Sequence, residues 1–173
     1  YTDFELVIVN DASPEDLDTI VSSFDDSRIR YYKNKENIGG RNLVAQWNKC
    51  LEYATGEYVI LASDDDIYFP EYLSKMSELV DKYPDVNVFR PRVQLIDGND
   101  NVIRVEGYLV EHISSLEFMY FLQRDLISSG VPYFIFRKDA LLDMGGFCQY
   151  PMAWGSDDAT VMELSKDKGI VST

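Results

Sequence analysis

Apolar residues in this chain come first as short unbroken runs and then at helical spacing. Phe4–Asn10 (FELVIVN) is a β-branched apolar run, the pattern of a buried strand. It stops at a polar stretch in which Ser13 as N-cap, Pro14 at the first helical position and Asp16 near the third predict a helix start. Leu17, Ile20, Val21 and Phe24 supply its apolar stripe. Arg28–Lys33 reads as a second strand, Asn37–Gly40 as a loop, and Leu43 to about Ala54 as a helix closed by Gly56. Tyr58–Ala62 (YVILA) is a third buried strand running into Ser63-Asp64-Asp65-Asp66, and Pro70 opens a helix to about Lys82. Val86–Ile96 and Val102–Glu106 flank the turn Asp97–Asp100 as a hairpin. Ile113–Arg124 is expected to be helical, Tyr133–Phe136 a strand, and Arg137–Met144 a helix ended by Gly145-Gly146. Ser156-Asp157-Asp158 caps a last helix to about Lys168, and Ile170–Thr173 is expected as an edge strand. Strand and helix alternate in the first half, which predicts an α/β fold with a mostly parallel sheet, helices on both faces and mixed strands in the second half.

Composition narrows the class. The chain has 173 residues, 16 Lys plus Arg against 30 Asp plus Glu, and a net charge of −14. With 46% hydrophobic and 13% aromatic residues it is too apolar for a disordered acidic tail. Its length corresponds to roughly one domain, residues 1–173, with a core of its own. No apolar run approaches the ~18 residues of a membrane-spanning helix. So negative a surface repels phosphate backbones, which argues against nucleic acid as a partner. A phosphate-bearing small ligand would need a local cation. Cys50 and Cys148 match no metal motif and read as reduced thiols. His112, the only His, reads as a surface residue, and one His builds no His-based metal site.

In open α/β sheets ligands bind at the carboxyl ends of strands. Asp11 and the triplet Asp64-Asp65-Asp66 both fall at such ends. Three carboxylates on a rigid strand end repel each other unless a cation intervenes, and their oxygens suit Mg²⁺ or Mn²⁺. Each cluster also has a plainer reading. The triplet suits a solvated turn before the Pro70 helix, Asp11 a turn-shaping residue, and Asp157 with Asp158 a complement to a helix dipole. Trp154 just before the last pair offers an aromatic face on which a sugar stacks, or a core side chain.

In order along the chain, FELVIVNDASPED, ENIGG, WNKCLEYATGEYVILASDDDIYFPEYL, VPYFIFRKDALLDMGGF and WGSDDATVMEL resemble the family 2 inverting glycosyltransferases of GT-A fold, over nearly the whole length. The resemblance implies a nucleotide-binding half at about 1–70 and an acceptor and catalytic half at about 71–173. It places the family's first strand before Tyr1 and further acceptor-binding or membrane-associated segments after Thr173. It implies that Asp11 contacts the nucleobase, that Asp64 lies near the donor ribose, and that Asp65 ligates a divalent metal, Mn²⁺ or Mg²⁺, with Asp66 able to assist. Asp158 matches the catalytic base, with Asp157 in support where many relatives carry Glu. Arg41 is a further nucleotide-side candidate and Trp154 an acceptor-side one. Ala62 stands where many relatives carry another Asp.

The implied reaction moves a sugar from a nucleotide donor, UDP-linked by resemblance, to a hydroxyl of a saccharide or lipid-linked acceptor. It implies bacterial cell-surface polysaccharide assembly in the cytoplasm, at the inner face of the membrane, with peripheral association. Ile113–Phe121 itself reads first as a core-packing segment and otherwise as an amphipathic acceptor-side or membrane-facing one. Two other readings stand beside it: a sugar nucleotidyltransferase, and a catalytically silent nucleotide-sugar or metal-binding module.

Overall fold

A computed structural model describes all residues, 1–173. Strand β1 (Leu6–Asn10) pairs in parallel with β2 (Ile29–Lys33), Leu6 opposite Ile29 and Asn10 opposite Lys33. Between them lies α1 (Leu17–Ser22), one turn later than the sequence predicts. Its N-cap is Asp16, whose carboxylate accepts from the Thr19 N–H. Ser13 instead closes a local turn, its N–H donating to Asn10 Oδ1 and its hydroxyl accepting from the Glu15 N–H. Ile20 and Phe24, expected on a buried stripe, are exposed.

Helix α2 (Leu43–Tyr53) starts at the N-cap Asn42 and buries Val44 and Leu51. It leads to β3, of which only Tyr58–Val59 is paired, and then to α3 (Tyr72–Lys82). The expected strand Val86–Ile96 is interrupted at Pro91, which cannot donate to a ladder. It becomes β4 (Val88–Arg90), in the main sheet, and β5 (Gln94–Ile96), which pairs with β6 (Val102–Val105) as the expected hairpin. The segment expected as one helix from Ile113 begins with β7 (His112–Ile113). Helix α4 (Ser115–Gln123) follows, opened by a capping box between Ser114 and Glu117. Phe118 turns inward while Leu116 and Tyr120 face outward. Strand β8 (Ile135–Arg137), α5 (Lys138–Asp143), α6 (Ser156–Ser165) and β9 (Ile170–Ser172) complete the chain.

The main sheet has the order β3-β8-β4-β9-β7. Strands β3, β4 and β9 share one direction, and β8 and β7 oppose it. The α/β class is as expected, with the sheet mixed throughout. β9, expected at an edge, is internal, because β7 pairs with its outer side. The core gathers Val44, Val88, Phe134, Phe136, Leu141 and Val161 from both halves. A smaller cluster of Met76, Val86, Phe89, Ile135 and Val171 sits under α3. Glu5, just before β1, accepts from the N–H groups of Thr55 and Gly56 and from Arg30, tying β1 and β2 to the turn that precedes β3.

Candidate functional site

Asp11 follows β1 directly. Its carboxylate accepts from the Ile38 N–H at 2.9 and 3.1 Å, from the Gly39 N–H at 2.7 Å and from Asn34 Nδ2 at 2.7 Å. Burial works against its ionisation, but these donors outweigh it and hold the carboxyl below the ordinary Asp value. Both oxygens are thus turned toward loop 34–39, and Asp11 orders that loop. A Cβ on Gly39 would sit 3.0 Å from Asp11 Oδ2, so glycine permits the approach. Loop residues Gly39–Leu43 form one wall of a cleft of about 630 Å³ whose other wall is Gln149–Ala153. Arg41 lies on the first wall, exposed, with only a long 3.8 Å contact to Glu36.

The opposite wall is held by unusual backbone. Met152, Ala153 and Gly155 all have positive φ, at 58°, 60° and 70°. Only Gly155 takes that region without strain. The segment is pinned where Tyr150 donates its N–H to Ser156 Oγ and Cys148 donates its N–H to Thr160 Oγ1. Trp154 is 79% exposed, so it is not the core residue its type suggests. Gly155, rather than Ser156, is the N-cap of α6, which puts Ser156, Asp157 and Asp158 inside the first turn.

Asp157 and Asp158 meet one short segment, Ser128–Tyr133, which ends in a single 3₁₀ turn at Val131–Tyr133. Ser129 Oγ donates to Asp158 Oδ1 at 2.5 Å, while Asp158 Oδ2 receives no protein donor. Burial pushes the Asp157 carboxyl up; the Asp158 charge adds to this, and the N–H groups of Asp158 and Val131 oppose it. Tyr68, two residues past the acidic triplet, reaches the same segment. Tyr68 donates its hydroxyl to the Pro132 carbonyl at 3.1 Å. Burial, then the charge of Asp66, push the Tyr68 phenol up to about 12. Tyr133 is raised by burial and then by Asp66, Glu106 and Asp65. Ser128–Tyr133 therefore joins the loop that follows the triplet to the start of α6, and no periodicity in the sequence marks it.

Asp64 and Asp65 are exposed and Asp66 half-buried. Burial, and after it the charge of Asp65, push the Asp66 carboxyl up. No three carboxylate, His or Cys groups stand close enough to cage a metal by themselves. The donor set fits a hard divalent ion only as one or two carboxylates completed by ligand oxygens, the usual mode for Mg²⁺ with phosphates.

Sequence reasoning missed Ser129, Asn34 and Asn48, whose Oδ1 accepts from the Phe147 N–H across 99 residues. Only the fold supplies their partners. Cys50 and Cys148 are free thiols, as expected, and His112 is exposed, its Nε2 2.6 Å from the Lys168 carbonyl. No helix is long and apolar enough to cross a membrane.

The chain is similar to known proteins in sequence and in fold. The chain is 33% identical over 86 residues to "Putative glycosyltransferase EpsE" of Bacillus subtilis, covering 48% of this chain and 30% of that protein. It is 31% identical over 80 residues to the Campylobacter jejuni "GalNAc(5)-diNAcBac-PP-undecaprenol beta-1,3-glucosyltransferase", covering 45% and 25%. The chain thus matches less than a third of either relative's length. Among solved structures, S. aureus TarS 1–349 in complex with UDP-GlcNAc superposes with a TM-score of 0.73 at 20% identity, over 99% of this chain and 47% of that one. Pyrobaculum calidifontis mannosyltransferase PcManGT, in complex with GDP-Man and Mn²⁺, gives 0.63 at 16%, over 98% and 45%. These superpositions establish the fold as that of GT-A enzymes. The profile of "Glycosyl transferase family 2" matches residues 1–145, and the chain belongs to that family.

Proposed function

We propose that this chain is the catalytic part of a metal-dependent inverting transferase that moves a sugar from a nucleotide donor, UDP-linked, to an acceptor hydroxyl during cell-surface polysaccharide assembly. The observation that carries the reading is the convergence of the triplet loop and the Asp158 carboxylate on Ser128–Tyr133. TarS holding UDP-GlcNAc and the lipid-linked saccharide in the Campylobacter enzyme's name support the donor and acceptor classes. PcManGT with Mn²⁺ supports the metal.

In this reading Asp11 keeps loop 38–41 in place as the nucleotide wall, with Arg41 on its exposed side, and Asp64 lies toward the ribose. Asp65, assisted by Asp66, would hold a divalent ion, which supplies charge neutralisation for the departing diphosphate. Asp158 is the general base. Its Oδ1 is held by Ser129, so Oδ2 takes the proton from the acceptor hydroxyl. The acceptor oxygen forms its bond to the anomeric carbon as the bond to the diphosphate oxygen breaks on the opposite face. One displacement inverts the configuration. Asp157 flanks the base, and Trp154 offers its exposed face to the acceptor.

The test is nucleoside diphosphate release from a panel of nucleotide sugars by the full-length protein, with and without Mn²⁺. Asp158→Asn is expected to bind nucleotide and metal yet lose transfer, and Asp65→Ala to lose metal-dependent binding. Unchanged transfer in Asp158→Asn overturns the base assignment. Formation of a nucleotide sugar from a nucleoside triphosphate and a sugar phosphate replaces the reaction class.

A further inference from the structure

Arg90 at the end of β4 and Glu106 just after β6 form an ion pair with both side chains almost completely buried, at 2% and 1% exposure. Arg90 Nη2 donates to Glu106 Oε2 at 2.9 Å and Oε1 at 3.2 Å. The pair then closes on one residue from two sides. Ser128 donates its N–H to Glu106 Oε1, and its carbonyl accepts from Arg90 Nη2 at 3.2 Å. The next residue is Ser129, whose hydroxyl holds Asp158 Oδ1. Glu106 also accepts the Val93 N–H at 2.9 Å, so both hairpin strands are anchored to the same carboxylate.

A buried ion pair is poor value as a source of stability. Replacement of such a pair by apolar side chains of similar volume is often neutral or stabilising. Arg90 Nε has no partner here, an uncompensated cost that stability alone would not retain. What the pair supplies, and apolar residues cannot, is directional bonding to both backbone groups of Ser128.

We propose that Arg90 and Glu106 are positioning residues for the base: they fix Ser128, and through it the Ser129 hydroxyl that orients Asp158. This rests on the reading of Asp158 as the general base. Neither residue touches substrate; both act through Ser129.

The experiment compares Arg90→Met/Glu106→Leu, Ser129→Ala and Ser129→Thr with Asp158→Asn in the full-length protein. Readouts are nucleoside diphosphate release from UDP-GlcNAc and a panel of other nucleotide sugars, UDP binding by calorimetry, and hydrogen exchange across 128–133 and 156–159. The double variant is expected to fold and bind UDP as the parent does. Its exchange in both segments should rise together, and kcat should fall about 100-fold with donor KM unchanged, the scale of a misplaced catalytic group. Ser129→Ala should lower kcat similarly, with Ser129→Thr restoring it. A double variant that does not fold, or one with parental exchange and kcat, overturns the proposal, as does parental kcat in Ser129→Ala. Full transfer by Asp158→Asn, or no turnover of any donor by the parent, defeats the base reading instead. The exchange measurement still reads the link from the pair to Asp158 in that event.

Discussion

Replacing Asp11 by Ala removes a carboxylate that gathers three donors, the N–H groups of Ile38 and Gly39 and the amide of Asn34. Hydrogen bonds to a charged acceptor contribute about 1.5–3 kcal/mol each where water is excluded. The 38–39 turn is only half-buried, so water replaces part of the loss. The loop should therefore be weakened by about 2–4 kcal/mol, rather than the full sum. At tenfold per 1.4 kcal/mol, the Ile38 and Gly39 amides should exchange with solvent ~30- to ~700-fold faster. The effect should spread to the start of α2, because Arg41 and Asn42 both donate their N–H groups to the Ile38 carbonyl. Amide exchange by NMR at neutral pH reads this directly, and UDP affinity should fall in parallel. The pH dependence has a definite sign. Asp11 is held below its ordinary value, so in the parent the protection is complete above that value and lost as pH falls through the lowered one. Parental exchange at Ile38 and Gly39 together with lost UDP binding would refute the anchoring argument, and would mean that Asp11 meets the nucleobase itself.

Asp158→Asn should lower kcat by about 10²–10⁴-fold, the range for a general base, with UDP affinity retained, as steady-state kinetics beside calorimetry will show. Glu5→Gln should destabilise the fold by about 1–2 kcal/mol at neutral pH once solvent screening is allowed for. Burial raises the Glu5 carboxyl, but the Thr55 and Gly56 donors and Arg30 hold it at about 2. Its contribution is therefore present above about pH 4.5 and lost as pH falls toward 2, so denaturation curves of parent and variant should converge in acid. Gly146→Ala should destabilise strongly in the same assay. Its φ of +96° disfavours any side chain, and the new Cβ would collide with Asn48 Oδ1, the acceptor for the Phe147 N–H. Phe136→Ala should cost about 3–5 kcal/mol, because its ring is fully buried, tilted against Phe134 and in an edge contact with Phe147.

Much of the fold could be read from local pattern. The runs at β1, β2 and β4, the amphipathic α2 and α3, and the hairpin about Asp97–Asp100 all follow from residues a few positions apart. Errors arose where local signals conflicted with longer-range demands. Ser13-Pro14 has the form of a helix start, yet Asn10 captures the Ser13 N–H and delays the helix to Asp16. Ile170–Thr173 reads locally as an edge strand, while its outer partner, β7, comes from 57 residues earlier, with Ile113 opposite Ile170.

The candidate carboxylates were legible from position, since Asp11 and Asp64–Asp66 end strands and Asp157–Asp158 open a helix, and family resemblance assigned their roles. What they contact was not. That Asp11 spends its oxygens on loop 34–39 and that Trp154 faces solvent depend on chain segments brought together by folding. The same is true of Ser128–Tyr133, which bonds to Tyr68 in the loop after the triplet and to Asp158 in α6. Periodicity encodes which face of an element is buried, because that choice repeats every two or 3.6 residues. It does not encode which distant backbone group a polar side chain meets, because a single hydrogen bond leaves no repeating trace, and only the packed sheet decides it.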